Sequence, residues 1–320
     1  NYATQTARVK DLLTHNLGIK NTDKIWVWDS LSPPEAMQRY SFAKTESPLR
    51  GGFSYQNMMY IVAGALISKL AKTPWRAFVQ KRLLDPLGMQ HTAANAQTIQ
   101  TLNNYVTPHV EDYEDGLIPI PLNFTQQVDA AGAMWSCADD MARYLRFLLN
   151  KGVYRGDTLL QAKTIDYIFR PQVMVSPRAY STWKLIKPNF HSYGLGWFQH
   201  DYRGEKLDFH TGSLAGMVAI AAVMHRKNTA VYFFANKGSA NLRHAIMYKA
   251  MDVFAFNDLE GKDWHRLIFD LYDSSKQRSI QRQKAKDKQQ IKDTKPSYPL
   301  EKFVGTYQHK MFGTIKVKHI

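Results

Sequence analysis

The stretch from Tyr193 to Ala235 constrains the fold more than any other part of the 320-residue chain. Gly194 to His200 and Lys206 to His210 flank Asp201-Tyr202-Arg203-Gly204, a hairpin turn signal; Met217 to Met224 and Thr229 to Ala235 flank His225-Arg226-Lys227-Asn228 in the same manner. Strand-length runs separated by short turn sequences predict an antiparallel meander. A sheet of this kind has to bury a face, and helical sequence lies on both sides of it. From Gln56 to Leu70, Met58, Ile61, Val62, Ala65 and Leu66 recur at helical spacing, with cap-competent Ser54 and Asn57 at the start. From Asp139 to Asn150, Met141, Tyr144, Leu145, Leu148 and Leu149 do the same, Ser136 and Asp139 resemble a capping box, and Gly152 is a stop. A third helical segment spans Ala245 to Phe256. Helices before and after an antiparallel sheet give an α+β fold with helices packed on the sheet faces.

Composition excludes several classes. With 44% apolar residues the chain can bury a full core, and no apolar run reaches the length of a membrane span. Its one cysteine, Cys137, rules out an intrachain disulfide scaffold. Eleven scattered histidines show no paired ligand spacing, so no metal and no cofactor are expected. HExxH, a Walker loop and GxGxxG are all missing, and Ser213 in Gly212-Ser213-Leu214-Ala215-Gly216 stands one position too early for a nucleophile elbow.

The net charge of +15 raises nucleic acid or an anionic surface as a partner. Much of the excess lies in Lys276, Arg278, Arg282, Lys284, Lys286, Lys288, Lys292 and Lys295, opposed by Asp287 and Asp293. With no interleaved aromatics for base stacking, this reads as a solvated linker or exposed helix, no nucleic acid is expected, and weak attraction of residues 274–296 to anionic surfaces stays open. The expected organisation is one domain over 1–262, a basic linker over 263–296, and the start of a small β module over 297–320. Asn1 in place of Met, and a strand pattern still running from Phe312 to Ile320, lead to the expectation of a chain cut at both ends.

Two short clusters carry residue types suited to catalysis: Phe53-Ser54-Tyr55-Gln56-Asn57 leading into a helix, and His210-Thr211-Gly212 at a strand end. A tyrosine at a helix start near a cation can act as a general base once its phenolate is stabilised. The residues alone favour instead core aromatics at Phe53 and Tyr55, a helix cap at Asn57, and an ordinary surface or strand histidine at His210.

These clusters occur in order with Leu12-Leu13-Thr14-His15-Asn16-Leu17-Gly18, Pro86-Leu87-Gly88-Met89, Ala131-Gly132 with Ser136 to Asp140, and Tyr193-Gly194-Leu195-Gly196-Trp197. The ordered set, over roughly residues 7–255, resembles the serine β-lactamase-like family of class C β-lactamases, D,D-peptidases, D-aminopeptidases and related esterases. The resemblance implies an active site between the sheet edge and the helical region, where a serine of an SxxK motif is acylated by an amide, peptide or ester and water releases the product. Tyr55 matches the tyrosine of YxN and Asn57 its asparagine, a contact for substrate and the catalytic lysine. His210-Thr211-Gly212 matches the KTG motif as HTG: His210 would add positive charge near Tyr55, Thr211 would bind a substrate carboxylate or carbonyl, and the backbone N–H of Ser213 falls where the family has an oxyanion donor.

SxxK itself occurs at Ser41 with Lys44 and at Ser181 with Lys184, both after the Leu12 segment it should precede. The nucleophilic serine and its lysine are therefore expected upstream of Asn1, and the chain by itself is expected to be inactive. The implied protein is an exported serine hydrolase of the periplasm, envelope or exterior acting on a small-molecule or peptide substrate. The alternative is a noncatalytic binding protein for a peptidoglycan-type or peptide ligand.

Overall fold

The computed structural model describes residues 2–27, 31–94, 98, 99, 101, 102, 104–112, 116–122, 129–214, 216–292 and 294–319. Asn1, Ala215, Asp293 and Ile320, named above, lie outside them.

A helical lobe comes first. Helix α1, Pro33–Tyr40, opens on a capping box in which Ser32 and Glu35 exchange side-chain and backbone hydrogen bonds. Helix α2, Met58–Ala71, packs Met58, Met59 and Ile61 onto Ile25, Leu31, Ala36 and Tyr40. It starts two residues later than its apolar spacing indicates, because Tyr55 to Asn57 stay outside the helical ladder and Asn57 caps it without a side-chain bond. Helix α3, Ala138–Leu149, is capped by Cys137 and not by Ser136. The expected capping box of Ser136 and Asp139 fails because a long-range partner takes its serine, Ser136 Oγ lying 2.7 Å from Thr92 Oγ1, while the carboxylate engaged in the first turn is Asp140, which accepts from His91 N–H and Thr92 Oγ1, each at 2.8 Å. Gly152 does help close the helix, its N–H donating to Phe147 O at 2.9 Å with φ at 90°.

The meander forms a six-stranded sheet of β1 (Val173–Met174), β2 (His191–Tyr193), β3 (Phe198–Tyr202), β4 (Glu205–Leu214), β5 (Met217–Met224) and β6 (Thr229–Ala235). Neighbours follow chain order and every pair is antiparallel. The β3–β4 turn is Arg203-Gly204, with φ values of 52° and 82°, the left-handed pair that a two-residue hairpin requires. Strands β5 and β6 have the bounds their sequence indicates. Two other bounds differ. Gly194 to His200 is not one strand, because Gly194 N–H donates to Trp197 O at 2.8 Å and turns the chain between β2 and β3. Strand β4 does not end at His210; β5 supplies partners as far as Leu214, so His210-Thr211-Gly212 lies inside the strand.

One sheet face buries Leu207, Phe209, Ile220, Ala222 and Met224 against helix α4, Arg243–Phe256, and the root of helix α5, Trp264–Gln289. The other presents Val223, with Ala221, Ala230 and Tyr232, to Leu145, Phe147 and Leu148 of α3. Trp264 and Ile268 anchor α5 in the core, and Asp252 ties the root down by accepting from Trp264 Nε1 and Tyr202 OH, each at 2.6 Å, and from Arg203 at 3.1 Å. Beyond Asp273 the helix is mostly exposed and carries Lys276, Arg278, Arg282, Lys284, Lys286 and Lys288. A hairpin of β7 (Gly305–His309) and β8 (Gly313–Val317) follows, and Met311 in its turn packs onto the α1–α2 cluster. Among the described residues, no helix is long and apolar enough to cross a membrane.

Candidate active site

Strand β3 begins at Phe198, opposite Phe209, while β4 runs on to Leu214. From His210 onward β4 therefore has a free edge on the β3 side among the described strands, and its backbone groups there have no ladder partner. The segment leading into α2 approaches this edge. Tyr55 and His210, 155 positions apart in the sequence, come together with ring centroids 6.1 Å apart.

His15 is the hub of the aromatic cluster that seats Tyr55. It is 1% exposed and lies 4.3 Å from the Tyr55 ring, 5.6 Å from Phe53 and 5.2 Å from both Tyr60 and Tyr193, centroid to centroid. Its Nδ1 accepts from Gln56 N–H at 3.2 Å, so in the neutral ring the proton sits on Nε2, which faces Tyr193 OH at 3.3 Å. Burial, assisted by His210, pulls its pKa down to about 3, so the ring is neutral at neutral pH.

A polar chain fixes the asparagine. Asp23 Oδ2 accepts from Asn57 Nδ2 at 2.8 Å and from Asn21 Nδ2 at 3.1 Å, which turns Asn57 Oδ1 toward Tyr55 OH, 3.4 Å away. Asn21 Nδ2 also donates to Tyr55 O at 2.8 Å. Asn57 thus spends its side chain on the phenol and on Asp23 rather than on a cap. Burial holds the Tyr55 phenol well above its ordinary pKa, with Tyr180, Tyr60 and Asp23 adding to the shift, so it is protonated.

His210 does not supply the positive charge the sequence led us to expect. Tyr55, Tyr193 and Phe198 enclose its ring, and burial takes its pKa down to about 4. Its Nδ1 faces Thr211 O at 2.9 Å, so the neutral ring carries its proton there and leaves Nε2 as an acceptor. The cation at this strand is Arg243, at the start of α4: its NH1 donates to Gly212 O at 2.6 Å and to Ser213 Oγ at 3.0 Å. Arg243 is 9% exposed and its Nε is buried without a hydrogen bond among the described residues. Thr211 Oγ1 is engaged by Tyr180 OH at 2.8 Å, while Gly212 and Ser213 are exposed.

His15 enters the sequence reading only through its motif, and Asp23, Tyr180 and Arg243 not at all. Each acts through partners tens of residues away, and local spacing carries no signal for that. Both SxxK matches are poorly placed: Ser41 ends α1 and leads into a turn, and Ser41, Lys44, Ser181 and Lys184 are all exposed.

The Beta-lactamase family model matches residues 1–255. Unguisins hydrolase ungD of Aspergillus violaceofuscus is 24% identical over 251 residues, covering 73% of this chain and 43% of its own. The N-acetylmuramyl-L-alanine amidase of Bacillus subtilis is 25% identical over 261 residues, 70% of this chain and 57% of its own. The chain spans about half the length of the first of these curated relatives and their like. Among solved structures, the octameric penicillin-binding protein homologue from Pyrococcus abyssi superposes with a TM-score of 0.66 at 22% identity, over 78% of this chain and 56% of its own. A class C β-lactamase superposes with a TM-score of 0.61 at 17% identity, over 81% and 71%. With helices on both faces of an antiparallel sheet and a family match over most of its length, the chain belongs to the Beta-lactamase family.

Proposed function

We propose that this chain forms the tyrosine and strand walls of a serine hydrolase site that acts through an acyl-enzyme on an amide, peptide or ester, in an exported protein. The observation that carries the reading is the meeting of Tyr55 with His210 at the free edge of β4, with Asn57 held against the phenol by Asp23. Tyr55 relays the proton between nucleophile and leaving group, Asn57 orients the substrate, and the exposed Ser213 N–H stabilises the oxyanion. Thr211 and Gly212 receive the acyl part of the substrate along the strand, and Arg243 beneath them favours an acidic group there.

The serine and lysine of SxxK come from polypeptide outside these 320 residues. This accords with the state of Tyr55: a phenol kept neutral by burial becomes a base only when a cation is placed beside it. The same observation favours the second reading, a cleft that binds its ligand without turnover.

The test uses protein expressed from the complete coding sequence. A fluorophosphonate or fluorescent penicillin should label one serine, which mass spectrometry maps to an SxxK helix outside these residues. Tyr55→Phe should slow labelling by about a hundredfold or more. No label supports the binding reading, and labelling unchanged in Tyr55→Phe refutes the role given to the phenol.

A further inference from the structure

The sequence shows no metal-ligand spacing, yet the fold gathers three donor types at one place away from the Tyr55 cluster's elements. His91, on the loop after Gly88, and Cys137 and Asp140, at the cap and in the first turn of α3, offer ligand atoms all within 4.8 Å of one another. We propose that His91, Cys137 and Asp140 bind a zinc-type divalent cation that pins the 88–92 loop to the start of α3.

Cys137 and Asp140 stand three positions apart at a helix start, a spacing that puts both on one side of the first turn. The carboxylate is already positioned: its Oδ2 accepts from His91 N–H and Thr92 Oγ1 at 2.8 Å each, which fixes its plane and draws the His91 backbone against it. Asp140 is 1% exposed and its Oδ1 has no hydrogen bond among the described residues. A buried carboxylate oxygen without a partner is costly, and coordination would satisfy it. Arg143 is the nearby cation, 3.9 Å from Oδ1, but its NH1 donates to Gly88 O.

Cys137 is a free, half-buried thiol that makes no side-chain cap bond, and the His91 side chain is exposed. One sulfur, one imidazole nitrogen and one carboxylate oxygen suit zinc better than magnesium or calcium, which prefer oxygen throughout. Zinc bonds of about 2.0–2.3 Å need donors closer together than they stand now, and the exposed His91 ring is the one free to swing in. Binding converts the thiol to thiolate and releases its proton to solvent, and water completes the coordination. The site is independent of the hydrolase reading, because neither the loop nor α3 carries a residue of the Tyr55–His210 cluster.

The experiment uses the whole chain, reduced and free of any affinity tag. Titration with zinc against a chromogenic chelator should show one ion bound per chain and a raised melting temperature, and cobalt in its place should give the near-ultraviolet band of a thiolate ligand. Cys137→Ser and His91→Ala should each weaken binding by at least about tenfold, and Cys137→Ser should also abolish the cobalt band. Both should melt close to the metal-free parent, whereas Asp140 is left intact because it holds the loop. Binding unaffected by either variant, a cobalt complex without the thiolate band, or no stoichiometric zinc would overturn the site.

Discussion

Acid should unfold this protein through its neutral buried histidines. His15, His200 and His244 are each at most 1% exposed, and burial holds their pKa values at about 3, 3 and 4 against an ordinary 6.5. The folded values lie below the unfolded one, so the stability of these neutral rings is complete above about 6.5 and is lost as pH falls toward the folded values. Between about pH 7 and about pH 5 each ring loses about 2 kcal/mol. Asp208 works the other way: burial raises its carboxyl to about 6 from 3.8, so it gives back about 1 kcal/mol over the same interval. The balance of these four groups, a loss of about 5 kcal/mol, is comparable with the whole stability of many domains. Near about pH 5 these four groups account for an uptake of about two protons on unfolding, a slope of about 3 kcal/mol per pH unit, and His210 and His225, both held at about 4, add to it in the same direction. Urea unfolding at a series of pH values, read at constant m-value, measures that slope, and His15→Asn should reduce it by about one proton. A slope corresponding to less than one proton would refute the assignment of these rings as neutral. Protonating Nδ1 of His15 sets an N–H against the Gln56 N–H that now donates to it, so the Tyr55–Asn57 segment should lose amide protection ahead of the sheet.

Other expectations follow from single contacts. Asp252→Ala leaves Arg203, Tyr202 and Trp264 without their shared acceptor and should cost about 3–5 kcal/mol in chemical denaturation, and a loss below about 1 kcal/mol would show the α5 root is held otherwise. Gly204→Ala places a side chain at a φ of 82° and should cost about 1–2 kcal/mol without changing the m-value. Arg243→Met removes the donor to Gly212 O and Ser213 Oγ and should lower stability by about 1–3 kcal/mol; in full-length protein it should slow acylation more for acidic than for neutral substrates, and equal slowing would remove Arg243 from recognition.

What was legible in the sequence was what depends on neighbours in the chain. Strands β5 and β6 are bounded by His225–Asn228, a turn whose left-handed Asn228 is local chemistry, and their bounds follow from it. The split between β2 and β3 was hidden because Ile168 O takes Leu195 N–H at 2.9 Å, a partner 27 positions away. Ser136 looked like a cap for the same kind of reason, since only the fold reveals Thr92 beside it. Tyr55, Asn57 and His210 could be singled out through the order of motifs, but their protonation states could not, because desolvation is a property of what surrounds a group in space. The charge assigned to His210 therefore had to move to Arg243.

Met311 packs onto a cluster that contains Ile25, Leu31 and Tyr40, so the two sides of one contact stand at least 271 positions apart in the sequence. During synthesis the side that leaves the ribosome first keeps this part of its greasy surface uncovered until the segment that carries Met311 has followed. A nascent chain of this kind has a long interval of exposure to chaperones and aggregation, and deleting the hairpin of residues 305–317 should lower the yield of soluble protein before it alters the sheet.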